Sequence, residues 1–246
     1  MASATLPLFR EDAYRRDCTA EIVAINDRGG IVLDRTIFYA TSGGQPGDLG
    51  RLVIAGEEVP IGAAVYSEDK AEIVHVPSAS NGRAVQGASV HAEIDWDRRY
   101  RHMRMHTGLH LLCSLIPFPV TGGSIGAEES RLDFDISDAG AVDKDDLTAR
   151  LNALVAADHP VTMRWITDEE LADNPGLVRT MSVKPPSGSG RVRLVAIGAD
   201  DAIDLQPCGG THVRSTGEIG ALAITKIEKK GRQNRRVRLA FAERGA

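Results

Sequence analysis

Hydrophobic patterning changes its period near Asp95, and this change limits the chain to a two-part fold. Upstream, short β-rich runs at residues 18–25, 31–34, 51–54, 72–76 and 90–95 alternate with the turn signals Arg28-Gly29-Gly30, Gly43-Gly44, Ala55-Gly56 and Asn81-Gly82. Many short strands at this spacing predict a small barrel or sandwich. Downstream, residues 96–116 read as one helix, with Met105, Leu109, Leu112 and Ile116 recurring at helical spacing toward a core. Pro117 and Pro119 stop it, because proline removes a backbone donor and biases its predecessor away from helix. Beyond lie expected strands at 131–136 and 161–166, helices at 143–157 and 168–173, a Pro-, Ser- and Gly-rich loop at 184–190, and strands at 191–197, 203–205, 221–228 and 235–241. The expected fold class is α+β, with a small β-barrel domain over residues 1–95 and an α+β domain over residues 96–246. No internal repeat is found.

A hydrophobic share of 42% and a charged share of 26% suit a soluble globular chain and disfavour disorder, collagen and coiled coil. Cys18, Cys113 and Cys208 stand at unrelated spacings, so no disulfide framework is implied and a reducing compartment is expected. Residues 1–17 mix charges without an apolar core and do not read as a signal peptide. No run of about 18 apolar residues occurs, so a membrane-spanning helix is excluded and a cytoplasmic location expected.

The sharpest chemical signal is His106-Thr107-Gly108-Leu109-His110 on the expected helix. Four residues are little more than one turn, so both imidazoles leave one face, as two ligands of one metal must. Alone, the pair reads equally well as two histidines at a core edge. Pro207-Cys208-Gly209-Gly210-Thr211-His212 adds a thiol and an imidazole four apart, with glycines permitting the tight path that lets both reach one point. His106, His110, Cys208 and His212 together form a borderline-soft set that suits Zn²⁺. Thr107 stands where a zincin peptidase has its glutamate base, which disfavours peptidase chemistry. Four protein ligands close a structural site, whereas a catalytic one keeps a position for water or substrate. The spacing leaves both open.

The segment Thr41-Ser42-Gly43-Gly44-Gln45-Pro46-Gly47-Asp48-Leu49-Gly50 is read either as a loop that brings the amides of Gly43 and Gly44 against a phosphate, or as a plain hairpin turn. Net charge is −5, which taken alone argues against a protein that coats nucleic acid. The average conceals structure. Residues 1–95 carry 8 basic and 14 acidic side chains, while Arg98, Arg99, Arg101 and Arg104 cluster on the helix that bears the histidines. A second cluster, Lys226, Lys229, Lys230, Arg232, Arg235, Arg236 and Arg238, opposes only Glu228. Either cluster positions a phosphate backbone or is a solvated basic face. His75, His91, His102 and His159 are read as surface or strand histidines, Cys113 as helix core, and Asp204 as a strand-end carboxylate in preference to an acceptor for a ligating imidazole.

Together these residues resemble the editing module of alanyl-tRNA synthetase and its freestanding AlaX-type relatives, the trans-editing alanyl-tRNA deacylases. Ile37-Phe38-Tyr39 leading into Ser42-Gly43-Gly44-Gln45-Pro46-Gly47-Asp48, Asp95-Trp96, the His106 to His110 motif, Cys208-Gly209-Gly210-Thr211-His212-Val213 and Thr216-Gly217-Glu218-Ile219-Gly220 carry the likeness across most of the chain. The resemblance implies a β-barrel domain with the Gly-rich loop, an α+β editing domain, and zinc held by His106, His110, Cys208 and His212. It implies hydrolysis of serine, and secondarily glycine, misattached to tRNA for alanine, with no DNA or membrane partner. Gly108 stands where the family more often has alanine, and the segment after the helix is shorter than in the synthetase. Thr121 is the candidate for meeting the serine hydroxyl, and Gln45 for placing water. The rivals are a zinc-stabilised tRNA-binding module without catalysis, and editing for threonyl-tRNA synthetase.

Overall fold

The computed structural model describes residues 4–80, 82, 84–137, 140, 142–178, 190–231 and 233–242. The expected loop at 184–190 therefore lies outside the described residues except for Gly190, and Arg232 lies outside them too. The chain is a mixed α/β protein that divides into two compact units, Met1–Tyr100 and Arg101–Ala246.

In the first unit β1 (Leu6–Pro7), β2 (Asp17–Ile25), β3 (Ile31–Leu33), β4 (Arg35–Thr36), β5 (Gly50–Ile54), β6 (Glu57–Tyr66), β7 (Ile73–Pro77) and β8 (Ser89–Ile94) follow one another. Six of them close a barrel in the order β2-β3-β7-β6-β5-β8, antiparallel at every junction. Alternation fills it: Cys18, Ala20 and Ile22 of β2, Leu52 and Ile54 of β5, and Val90, Ala92 and Ile94 of β8 are buried, while their neighbours face out. Closure leaves no edge strand to be protected. β1 and β4 form a separate two-residue parallel pair.

Five of the six barrel strands follow the expected runs. β6, the longest, does not, because Pro60 and Gly62 are residue types that strands seldom hold, although they stand at its outward positions between buried Val59 and Ile61. Pro60 stands next to a register shift between Ile61 and Ala63 and beyond the last paired residue of β7, where its carbonyl accepts Ser78 N–H at 2.9 Å. Proline without a ladder donor is tolerated at such bulges.

The division between units falls within α1 (Trp96–Leu115). Met105, Leu109 and Leu112 along it, and Ile116 just beyond, are buried as their spacing requires. His102 also sits on α1 and is buried, which corrects its reading as a surface or strand histidine. After it come β9 (Val120–Ser124), β10 (Glu129–Asp135), α2 (Lys144–Ala156), β11 (Val161–Thr167), α3 (Asp168–Asp173), β12 (Arg191–Ile197), β13 (Asp204–Pro207), β14 (Leu222–Lys229) and β15 (Asn234–Phe241). They form two antiparallel sheets, β14-β15-β10-β9 and β11-β12-β13.

The edge strand β14 is held by α2. Asn152 of that helix donates to Leu222 O at 2.8 Å and accepts Leu222 N–H at 2.9 Å, while Thr148 Oγ1 accepts Ile224 N–H. α2 itself starts at Asp143, whose carboxylate accepts the amides of Asp145 and Asp146, a cap worth about 1 kcal/mol. β9 is a strand the pattern did not announce, since Gly122 and Gly123 carry no side chain to alternate. Among the described residues no helix is long and apolar enough to cross a membrane.

Candidate metal centre

α1 presents His106 and His110 on one face, and both are buried. The second pair follows directly from β13. Alternation along an extended strand puts Asp204, Gln206 and Cys208 on the same face, two residues apart each time. The ladder carries on past the strand's end, with Cys208 N–H donating to Arg193 O at 3.0 Å. Arg193, itself buried, donates from Nη1 to the carbonyls of Cys208 at 3.0 Å and Gly210 at 2.7 Å, clamping the turn that brings His212 round. Nothing in the sequence pattern pointed to Arg193. An arginine in a strand next to a Cys-Gly-Gly loop full of carbonyls was the available signal.

The four donor atoms of His106, His110, Cys208 and His212 lie within 4.8 Å of one another. Cys208 Sγ is 3.4 Å from His106 Nε2 and 3.3 Å from His212 Nε2. Bond lengths of about 2.0 Å to nitrogen and 2.3 Å to sulfur give a tetrahedral N···S edge of about 3.6 Å, so these separations suit one ion at the centre.

Two further residues fix which nitrogens point inward. Asp204 Oδ2 accepts Nδ1–H of His110 at 2.7 Å, and Gln206 donates to the same oxygen at 2.9 Å. Thr107 donates its hydroxyl to Met103 O at 2.9 Å, which leaves its oxygen to accept Val213 N–H at 3.3 Å and Nδ1–H of His212 at 3.2 Å. Both rings thereby turn Nε2 toward the other candidate ligands, the orientation a metal-bound imidazole needs. Asp204 is thus both the strand-end carboxylate and the acceptor behind a candidate ligand. Cys113 is buried and lies outside the group, as helix core.

Protonation follows the same logic. Burial pushes the Cys208 thiol up, but His106 and His212 beside it outweigh burial and hold it well below the usual thiol range. Burial and the neighbouring His106 hold His212 well below the ordinary imidazole value. Burial also opposes charge on His110, yet the bond to Asp204 more than compensates and raises it to about 10. A thiolate with imidazole nitrogens around it is a ligand set for a borderline-soft divalent ion, which would displace the Nε2 proton of His110.

The other expected site residues are placed differently. Gly43 and Gly44, with φ of 55° and 83°, form the centre of a tight turn closed by paired backbone hydrogen bonds between Ser42 and Gln45. Left-handed φ at both centres is what such a turn demands and what glycine supplies. Gln45 is buried. Gly47 is fixed by space: a Cβ there would stand 2.2 Å from Ala64 O. Asp48 accepts the Arg99 guanidinium through both oxygens and Tyr39 N–H at 2.6 Å. Arg99 also donates to Ala13 O at 2.9 Å and Ile37 O at 2.7 Å, and is fully buried. It is therefore a strut of the first unit and does not reach a phosphate.

Arg98 donates to Gly47 O at 2.7 Å, Arg101 pairs with Glu128, and Arg104 donates to Ile219 O at 2.7 Å with its guanidinium 4.1 Å from the centre of the Phe241 ring. Three members of the C-terminal basic cluster pair with carboxylates. Arg236 grips Asp133 with two bonds of 2.7 and 2.8 Å, Arg238 pairs with Glu228 and Glu129, and Lys226 pairs with Glu228. Arg235 is buried and donates to Ser137 O and Asn234 O. Lys229 and Lys230 remain exposed. Thr121 is half-buried on β9, its hydroxyl 3.1 Å from Asp133 O and 3.0 Å from Asn234 Oδ1.

Residues 192–238, which include Cys208 and His212, match the family described as threonyl and alanyl tRNA synthetase second additional domain, and residues 11–98 match tRNA synthetases class II (A). Over 241 residues the chain is 34% identical to the alanyl-tRNA editing protein AlaX-M of Methanosarcina acetivorans, covering 94% of this chain and 96% of that one. The chain belongs to the AlaX-M family. It is also 31% identical to the alanyl-tRNA editing protein AlaX-M of Saccharolobus solfataricus, over 95% of this chain and 97% of that protein. Alanine-tRNA ligase of Pyrobaculum aerophilum is 38% identical over 92% of this chain, a stretch that makes up 25% of the ligase.

Proposed function

We propose that this chain is an aminoacyl-tRNA deacylase that acts in trans, in the cytoplasm, on tRNA for alanine carrying serine or, secondarily, glycine. The observation that carries the reading is the convergence of His106, His110, Cys208 and His212 in a chain of the AlaX-M family. The first unit is taken as a barrel domain, the second as the editing domain, with the functional boundary at residues 95 and 96.

Zinc is the ion the donor set suits, and when bound it supplies Lewis-acid polarisation of the ester carbonyl or an anchor for the substrate's amino end. Asp204 and Thr107 keep the Nδ1 protons of His110 and His212, so both rings stay oriented. Thr107 and not a carboxylate follows His106, so the proton of the attacking water passes by way of a tRNA hydroxyl or a second water to the ribose oxygen released as the acyl C–O bond breaks. Gln45, buried in the first unit, is given no step.

The need for such an activity is energetic. A pocket built for alanine rejects a neighbour that adds a small group by only roughly 10- to 200-fold. A second site that hydrogen-bonds the serine hydroxyl spares alanine, because a buried polar partner left unpaired costs about 1–3 kcal/mol. Thr121 is assigned that contact, its hydroxyl standing beside Asp133 O and Asn234 Oδ1 on β9. Lys229 and Lys230 are assigned to phosphates.

The test is incubation of the zinc-loaded protein with Ser-, Gly- and Ala-charged tRNA for alanine and Ser-charged tRNA for threonine. Loss of the serine ester from the alanine tRNA, with Ala-tRNA spared, is expected. No ester loss from any of the four sinks the reading and leaves a non-catalytic module, while loss confined to the threonine tRNA moves the activity to the other branch.

A further inference from the structure

One face of the β11-β12-β13 sheet carries the residues behind the metal group, and the outer part of that face is exposed. Directly opposed residues of antiparallel strands share a face. Met163 is opposite Val195 and Val195 opposite Gln206, while Trp165 is opposite Arg193 and Arg193 next to Cys208. Trp165 and Met163 therefore lie on the side that bears Asp204, Gln206 and Cys208. Trp165, Arg193 and Cys208 form one row across three strands, so the indole stands two strand spacings, roughly 10 Å, from a candidate metal ligand.

Trp165 is 41% exposed and Met163 38%. The Arg191 guanidinium lies 5.3 Å from the Trp165 ring centre, and Arg193 Nη2 contacts the Met163 sulfur. An exposed indole with a cation over it is the device by which proteins hold single-stranded nucleic acid, through a base on the ring and a phosphate on the charge. Here it sits in the row that leads to Cys208. The ester cut by an aminoacyl-tRNA deacylase is on the terminal ribose of an unpaired 3′ end, so the neighbouring bases must pass close to the metal group.

We propose that Trp165 and Met163 form a stacking shelf for an unpaired base at the 3′ end of the tRNA, with Arg191 turned to the adjoining phosphate. The proposal rests on the deacylase reading above, and the experiment separates the two. The chain has two tryptophans, so Trp96→Phe leaves Trp165 as the only indole. That protein is titrated with uncharged tRNA for alanine, once with its 3′ end intact and once with the unpaired terminal nucleotides removed. Emission should be quenched by the intact RNA and far less by the trimmed one. In deacylation of Ser-tRNA for alanine, Trp165→Ala should raise KM roughly 5- to 150-fold, the range of one base stack, with kcat little changed, and Trp165→Phe should restore most of it. Equal quenching by both RNAs, or an unmoved KM in Trp165→Ala, overturns the shelf and leaves the deacylase standing. A wild-type protein without deacylase activity overturns the deacylase reading, and the quenching comparison then decides the shelf by itself.

Discussion

Two of the buried polar constellations among the described residues are built on opposite plans. In the first unit Arg99 and Asp48 close on each other, with the carbonyls of Ala13 and Ile37 and the amide of Tyr39 taking up neighbouring donors and acceptors. In the second unit His106, His110, Cys208 and His212 direct their donor atoms toward one another, while Asp204 and Thr107 hold His110 and His212 from behind. Burial alone does not distinguish a strut from a site. What distinguishes them is whether hydrogen bonds use up the lone pairs or leave them converging on one point.

The largest expected consequence of that difference is in Cys208→Ala. Loss of one of four converging donors should abolish zinc retention, read by metal content after gel filtration, and cut deacylation about a thousandfold or more, as several kcal/mol of charge stabilisation disappear. Retained zinc at one equivalent together with full activity would break the contrast. Arg99→Ala should act on stability instead. It leaves Asp48 buried without its partner, at about 3–5 kcal/mol, visible as a fall in denaturation midpoint with zinc content unchanged.

A third test uses His75, a second self-closed group in the barrel. His75 Nδ1 donates to Ile31 O at 3.0 Å, and Thr36 Oγ1 stands 2.7 Å from Nε2 and accepts Phe38 N–H. Burial pushes His75 down to about 4, against the pull of the Ile31 carbonyl. The unfolded imidazole protonates near 6.5, so between those values the unfolded state binds the extra proton. Stability is therefore intact above about pH 6.5 and falls toward pH 4, by roughly 3 kcal/mol in all. Denaturation of wild type and His75→Gln at a series of pH values should show a slope that is steeper in wild type by this amount, since His212, also held low, contributes equally to both. The smallest effect is expected from Asp204→Asn, which keeps the fold but weakens the hold on His110. Zinc affinity measured against a competing chelator should fall about 10- to 100-fold.

The barrel strands and the His106 and His110 pair were legible in the sequence because they rest on short-range periodicity, two residues in a strand and four on a helix turn, and Cys208 and His212 because the two glycines between them permit a tight path. What was not legible depends on register. Arg236 reads as a phosphate contact until β15 is laid beside β10, where Asp133 is its direct partner. Arg99 reads as part of a basic helix until Asp48, fifty-one positions earlier, is brought against it. Asp204 was seen as a strand end because its partner, His110, is ninety-four positions away. β9 escapes the pattern because Gly122 and Gly123 carry no side chain to alternate, and β6 because Pro60 and Gly62 are residue types that strands seldom hold.

The alternation of Asp204, Gln206 and Cys208 along one strand has a further result for how this sequence can vary in length. Three functional side chains are timed by a single two-residue beat, so inserting or deleting one residue between 204 and 208 would turn part of the set to the opposite face of the sheet. Substitution there is graded, but a change of length by one is all or nothing, and only a change by two preserves the phase. The segment from 204 to 208 should therefore behave as a reading frame.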